Sequence, residues 1–135
     1  MLSRLPVAIV AMLALKAPAL AETVTPQLSQ AIPNLPGMSL RAVLVDYPPG
    51  GASRPHRHAP SAFIYARVLS GAVRSQVDAG PVRVYRAGDG WYEPPGAHHA
   101  VSENASNTAP AQLLAVFVVR TEDMPLTVPD GSSSP

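Results

Sequence analysis

The 135-residue chain has no cysteine, a single lysine and few charged residues, which make up 14% of the sequence. The lack of cysteine excludes disulfide bonds, thiolate metal sites and cysteine nucleophiles. No segment shows the apolar periodicity of an amphipathic helix, which argues against a helical domain. Apolar residues still make up 47% of the chain. That is enough to bury a core, and the length suits one domain.

The first 21 residues resemble an export signal. Arg4 gives the N-terminus a positive charge, and residues 5–15 form an apolar stretch. Residues 19–21, Ala-Leu-Ala, match an A-x-A cleavage site. We therefore expect cleavage before Glu22 and a periplasmic or secreted mature protein. Lys16 keeps the apolar run below the roughly 20 residues that a membrane-spanning helix needs, so we expect no stable span after cleavage. The alternative is a retained amphipathic helix or membrane anchor.

Cleavage also changes the charge of the chain. It removes Arg4 and Lys16, which leaves eight arginines against nine acidic residues and a net charge of −1. The basic pI of about 8.2 therefore belongs to the precursor alone. Because the mature chain has neither a basic excess nor a basic run, we expect no nucleic-acid partner.

Short apolar runs separated by Gly- and Pro-containing turns predict a β-rich fold. The runs lie at residues 39–47, 63–69, 72–77, 81–85 and 112–120. Strands at this spacing are typical of an antiparallel sandwich or a small barrel. We assign residues 22–37 to an N-terminal arm laid over the domain, residues 38–122 to a single barrel, and residues 123–135 to a flexible C-terminal tail.

All four histidines lie between positions 56 and 99. His56 and His58 are two residues apart on an extended segment, so their side chains point to the same face and their ring nitrogens can converge on one ion. His98 and His99 follow a Pro-Gly turn. Neighbouring residues on a strand face opposite sides, so only one of this second pair can enter a barrel interior without a bulge.

The spacing of these residues resembles the two motifs of the cupin family. The first motif is G-x5-H-x-H-x3,4-E-x6-G, and the second is G-x5-P-x-G-x2-H-x3-N. The matching positions are Gly50, His56, His58, Gly71, Gly88, Pro94, Gly96 and His99. The resemblance implies an all-β, cupin-like jelly-roll barrel of one domain whose motif histidines bind a divalent metal inside. The spacing of the second motif selects His99 as the third ligand, with His98 as the alternative.

The glutamate of the first motif is missing, because residues 59–70 contain no carboxylate. Counting back from Gly71 puts Ile64 at its position, and counting forward from His58 puts Ala62 or Phe63 there. None of these side chains can bind a cation. The ligands that remain are His56, His58 and His99.

Three imidazoles with open positions suit zinc, iron, nickel, copper or manganese better than calcium or magnesium. Without a carboxylate, the 2+ charge is uncompensated, which would lower the pKa of bound water and favour anionic ligands. Glu93 and Glu103 flank the part of the second motif that runs from Pro94 to His99. The simpler interpretation makes them solvated charges, and the other makes them partners that orient a histidine.

For Arg57 and the aromatic residues we expect structural roles and no contact with the ion. Arg57, between two ligand positions, faces away from the ion on an extended segment and is expected at the surface. The aromatic side chains could line a substrate pocket, but in so small a barrel we expect most of them in the core or at an interface. They are Phe63, Tyr65, Tyr85, Trp91, Tyr92 and Phe117.

Three functions are open. The first is a metal-dependent enzyme acting on a small molecule, namely a dioxygenase-like oxidoreductase or, failing that, an isomerase or lyase. The second is an exported, non-catalytic module that binds metal or a small ligand, and the third is a metal-free structural or assembly barrel. The fold cannot choose among them, because one scaffold hosts many chemistries. The resemblance also allows a homodimer in which the proline-rich arm pairs with a second copy.

Overall fold

Ten β-strands and no α-helix make up the described part of the chain, residues 20–132 of a computed structural model. The strands are β1 Thr23–Ala31, β2 Met38–Tyr47, β3 His56–His58, β4 Phe63–Ser70, β5 Ala72–Val77, β6 Arg83–Arg86, β7 Gly90–Glu93, β8 His98–Asn104, β9 Ala111–Arg120 and β10 Thr127–Pro129. Within this range there is no helix of the length and apolarity needed to cross a bilayer. The predicted export signal lies outside the described residues except for its last two positions.

The strands form two five-stranded sheets in which every pair is antiparallel. One sheet has the order β1-β2-β9-β4-β7 and the other β10-β3-β8-β5-β6. Connections such as the one from β2 to β3 cross from one sheet to the other. The all-β jelly-roll prediction is confirmed, and the five apolar runs correspond to β2, β4, β5, β6 and β9.

Two segments differ from the prediction. The N-terminal arm contains β1, which pairs with β2 along almost its whole length. The segment expected to be a flexible tail contains β10, which pairs with β3. Neither segment has the apolar alternation of a buried strand, and both lie at a sheet edge. At an edge, the neighbouring strand has backbone N–H and C=O groups without partners. β1 and β10 are therefore held by backbone hydrogen bonds to these groups, and their side chains need not be apolar.

The core lies between the sheets and follows the period of two expected for strands. In β4, Ile64, Ala66 and Val68 are buried, while the residues between them are exposed. In β9, every second residue from Ala111 to Val119 is buried in the same way. Fully burying a side chain the size of valine stabilises the fold by roughly 1.5–3 kcal/mol. The buried side chains of β4 and β9 therefore stabilise one wall of the barrel interior.

Gly71 turns the chain from β4 into β5. Its φ is +70°, and a Cβ added there would lie 2.5 Å from the carbonyl oxygen of Pro110. A side chain at this position would meet both left-handed backbone strain and a backbone clash. The turn therefore requires glycine, and it brings β5 beside β8, one of the strands that carry the histidines.

Candidate metal centre

The pairing of β3 with β8 brings the three predicted ligands together. His56 and His99 are direct partners in this antiparallel ladder, and His58 follows His56 on the same face. One nitrogen from each ring lies within 4.8 Å of the others. His56 and His99 are 6% and 4% exposed, so the group sits inside the barrel, where its nitrogens are shielded from bulk water.

Backbone carbonyls determine which nitrogen carries hydrogen in two of these rings. His56 Nδ1–H donates to Arg54 O at 2.7 Å, and His58 Nδ1–H donates to Leu126 O at 3.2 Å. A carbonyl oxygen can only accept, so the Nε2 atom of each neutral ring presents a lone pair. These two Nε2 atoms are 3.2 Å apart. Two donors on one ion at about 2.1 Å lie about 3.0–3.4 Å apart, so the spacing fits a shared metal.

His99 is held at both of its nitrogens. Nε2 lies 2.8 Å from Ser75 Oγ, and Nδ1 lies 3.1 Å from Oε1 of Glu93. The serine hydroxyl can donate or accept, so it accommodates either tautomer of the ring. A second partner on the far nitrogen is the arrangement that orients metal-binding histidines in proteins.

Glu93 is a member of this site, which agrees with the second of its two interpretations, a partner of a histidine. The side chain is 2% exposed, so its interpretation as a solvated charge is wrong. Besides its contact with His99, its Oε2 lies 3.2 Å from His58 Nε2, and its Oε1 accepts a hydrogen bond from Trp91 Nε1–H at 3.1 Å. The signal in the sequence is the period of two in β7, which puts Trp91 and Glu93 on one buried face.

Burial and neighbouring charges set the protonation of the site. Burial works to raise the pKa of the Glu93 carboxyl, but His58, His99 and the Trp91 N–H hold it at about 2. Burial lowers the pKa of His99 to about 4, against the opposing pull of Glu93, and burial also lowers the pKa of His56. At neutral pH the site therefore has an anionic carboxylate in contact with two of the imidazoles, which suits a cation.

The histidines form part of the wall of a cavity of about 410 Å³. Most of the wall is apolar and is contributed by β2, β4 and β9. Its polar part includes Tyr47, whose hydroxyl lies 2.7 Å from Ser102 Oγ and 2.9 Å from Ser53 Oγ. Burial raises the pKa of Tyr47, so the phenol keeps its proton. In the described part of the chain, no arginine or lysine lines this cavity.

The remaining candidates lie away from the cavity. His98 Nε2 lies 2.8 Å from Asp130 Oδ2, on the opposite side of β8 from His99. Arg57 is exposed and donates to Gly96 O at 2.9 Å. Glu103 pairs with Arg74 at 2.6 Å near the surface. Both glutamates therefore have partners, but only Glu93 reaches the histidines.

The aromatic side chains divide between the cavity and the surface. Trp91 and Phe117 are buried and line the cavity. Phe63, Tyr65 and Tyr92 are exposed on the outside of the barrel. These three are therefore not in the core, and the other part of the expectation, an interface, stays a prediction for them.

Comparison with known proteins gives a consistent family and fold. A family model described as a cupin domain matches residues 43–117. A protein of Thermus thermophilus is 26% identical, with a TM-score of 0.58 over 74% of this chain and 85% of its own. An oxalate oxidase is 25% identical, with a TM-score of 0.62 over 84% of this chain and 60% of its own. The curated proteins contain no match.

A further structural match covers only a small part of a larger protein. The Bacillus subtilis oxalate decarboxylase is 27% identical, with a TM-score of 0.56 over 67% of this chain and 24% of its own. The chain therefore corresponds to one portion of that protein, and it spans less than two thirds of the oxalate oxidase.

Proposed function

The chain belongs to the cupin family, and on that premise we propose that it is an exported, metal-dependent oxidoreductase acting on a small, mostly apolar molecule. The observation that carries the proposal is the convergence of three imidazoles on the wall of an apolar cavity. The relationship to an oxalate oxidase, 25% identical, supports an oxidative chemistry. Dioxygen is the oxidant we propose, with both of its atoms entering the product.

The proposed ion is held by His56, His58 and His99. A divalent transition metal bound there supplies Lewis acidity and, for iron, copper or manganese, a redox-active centre with open positions. The chain's own contribution is orientation. Arg54 and Leu126 hold the δ-nitrogens of two rings through their carbonyl oxygens, so the ε-nitrogens face the cavity.

The rest of the cavity selects the substrate. Its apolar wall excludes water and favours an apolar body. The Tyr47 hydroxyl keeps its proton and can donate a hydrogen bond to an oxygen atom of the substrate. No arginine or lysine of the described residues lines the cavity, whereas the carboxylates of Glu22 and Glu93 do, so the wall disfavours a dianion such as oxalate. We therefore propose a neutral or singly charged substrate, such as a phenol or a thiol.

Elemental analysis of the mature protein, purified without a histidine tag, tests the metal site. We expect close to one equivalent of a transition metal, and loss of it in the His56→Ala/His58→Ala double variant. Less than about a tenth of an equivalent, even after reconstitution, would contradict the proposal and favour a metal-free barrel.

Oxygen uptake separates an enzyme from a binding module. The metal-loaded protein is expected to consume dioxygen when a phenol or a thiol of suitable size is added, and the double variant is not. Full metal occupancy without uptake across a panel of such compounds would favour the non-catalytic module.

Export is a separate part of the proposal. It is supported by the sequence of residues 1–21 alone. Expression of the full chain in a bacterium, followed by fractionation and mass measurement, is expected to give a periplasmic or secreted product that begins at Glu22. A full-length product retained in the cytoplasm would contradict it.

A further inference from the structure

Glu93 lies among the histidines at the distances of a ligand. We infer that its carboxylate, supplied by β7, is a fourth ligand of the ion; this inference rests on the proposed metal site. Oε2 is 3.2 Å from His58 Nε2, and Oε1 is 3.1 Å from His99 Nδ1. Both values fall in the range of about 3.0–3.4 Å expected between two donors on one ion.

The hydrogen bonds around the site leave Glu93 without enough donors. The carbonyl partner of His58 Nδ1 leaves a lone pair, not an N–H group, on Nε2 of the neutral ring, and this nitrogen lies 3.2 Å from Oε2 of Glu93. Among residues 20–132, no group donates a hydrogen bond to Oε2. A buried carboxylate oxygen that has no hydrogen-bond donor and lies beside a lone pair is strongly unfavourable unless a cation lies between them. The site has the donors for that cation already in place.

The position of Glu93 in the sheet explains how it reaches the site. Ile64, which stands where counting back from Gly71 places the missing motif glutamate, is the direct partner of Glu93 in the β4–β7 ladder. Directly opposite residues on antiparallel strands point to the same face, with Cβ atoms about 4.5–5.5 Å apart. A carboxylate at position 93 therefore enters the same cavity as a carboxylate at position 64 would.

This assignment changes the electrostatics expected from three neutral imidazoles. A 2+ ion bound with one carboxylate leaves a net charge of +1 at the site. That charge suits one anionic or polarised oxygen on a substrate, in accord with a described cavity wall that has no arginine or lysine and that a second glutamate, Glu22, also lines. It does not suit a dianion.

Cobalt(II) binding to the mature protein tests the inference, with Glu93→Gln as the main variant and Glu103→Gln as its matched control. Glutamine keeps the size of the side chain but removes the charge. We expect Glu93→Gln to weaken cobalt(II) binding at least about 10-fold and to change the visible d–d spectrum. Glu103→Gln, near the surface, is expected to stay within about 2-fold of the wild type.

Two results would overturn the assignment of Glu93 as a ligand: unchanged affinity in Glu93→Gln, or weaker binding with an unchanged d–d spectrum, which would make Glu93 a positioning residue. If the wild-type protein itself binds no cobalt(II) or zinc(II), the proposed metal site fails instead.

A crystal structure of the zinc-loaded wild-type protein gives a second test that does not depend on the folding of a variant. The expected distance from zinc to a Glu93 oxygen is about 2.0–2.2 Å. A zinc ion on the three histidines with both Glu93 oxygens beyond about 3 Å would contradict the inference.

Discussion

Two adjacent histidines on β8 have different surroundings. His99 points into the barrel and contacts Ser75 and Glu93, whereas His98 points outward to Asp130. The difference follows from the alternation of side chains along a strand. Residue type alone therefore does not make a ligand here, because the face of the strand decides which imidazole can meet His56 and His58.

The first prediction concerns this pair. His99→Ala is expected to lower zinc(II) affinity at least about 100-fold, since a ligand is lost, and His98→Ala is expected to leave it within about 2-fold. Isothermal titration of both variants measures the difference. Loss of affinity in His98→Ala alone would mean that the register of β8 differs by one residue.

The second prediction concerns Ser75, which contacts the ring of His99 on the side away from the other ligands. Ser75→Ala leaves that nitrogen without a buried partner, so we expect zinc(II) affinity to fall about 10-fold to 100-fold. Ser75→Thr keeps the hydroxyl and should retain most of the affinity. Equal affinities for the wild type and Ser75→Ala would show that the hydroxyl does not orient the ring.

At the scale of single residues, the sequence predicts which histidines come together. It does not predict that the carboxylate of Glu93 lies beside them. The motif spacing gives His56, His58 and His99 directly. Glu93 occupies a position at which the second motif accepts any residue, so the motif does not mark it as a ligand. Its role depends on the pairing of β7 with β4, and strand pairing is a property of the folded chain that the spacing within one strand does not encode.

Among the elements, β10 has the closest relation to the site. The segment that includes it supplies Leu126 O and Thr127 Oγ1 to His58 Nδ1, at 3.2 and 3.1 Å. The strand pairs with β3 over Thr127–Pro129, and its residues line the cavity. It therefore both covers the cavity and orients one of the proposed ligands.

The third prediction follows from this contact. Deleting residues 125–135 removes the acceptors of His58 Nδ1 and opens the cavity to water, so zinc(II) affinity is expected to fall about 10-fold to 100-fold. Deleting residues 133–135 alone leaves β10 in place and is the control. Competition titration against a chelator measures both. Equal affinity of the two truncated chains would contradict an orienting role for β10.

The fourth prediction concerns two motif glycines. Gly71 and Gly88 both have positive φ, at +70° and +93°, but only Gly71 has backbone atoms in the space of a Cβ. We expect Gly88→Ala to cost about 1 kcal/mol of unfolding free energy and Gly71→Ala about 3 kcal/mol or more. Urea unfolding measures both. Equal losses would show that the turn at Gly71 relaxes to admit the side chain.

The sequence predicts the strands of the barrel body better than those at its edges. β4, β5 and β9 bury alternate side chains, and the apolar runs give the positions of these strands and of β2 within one residue. β1 and β10 are held mainly by backbone pairing to an existing edge. Their composition, rich in polar residues and proline, is therefore typical of loops.

For the whole molecule, the fifth prediction is a loss of stability in acid. The folded state lowers the pKa of His99 from 6.5 to about 4, so the unfolded chain binds more protons between these values and stability falls as pH drops through them. Glu93, with its pKa lowered from 4.5 to about 2, adds a further loss from pH 4.5 downward. Urea unfolding of the chelator-treated protein across this range measures the slope.

A matched variant identifies the source of that slope. His99→Gln removes the titrating ring, so its stability should change less between pH 6.5 and 4 than that of the wild type. A wild-type stability that stays constant over this interval would contradict the prediction, since it would mean that His99 takes up its proton equally well in the folded and unfolded states.

The late position of β10 in the chain has a consequence for the order of events during synthesis. The carbonyl of Leu126 leaves the ribosome after the three histidines and Glu93, and until it docks on β3 the Nδ1 atom of His58 lacks this acceptor. A nascent chain therefore has all the proposed donors before one of them is fully oriented, and tight capture of an ion waits for the last strand. The compartment in which that strand docks then determines which metal ions the finished site meets first.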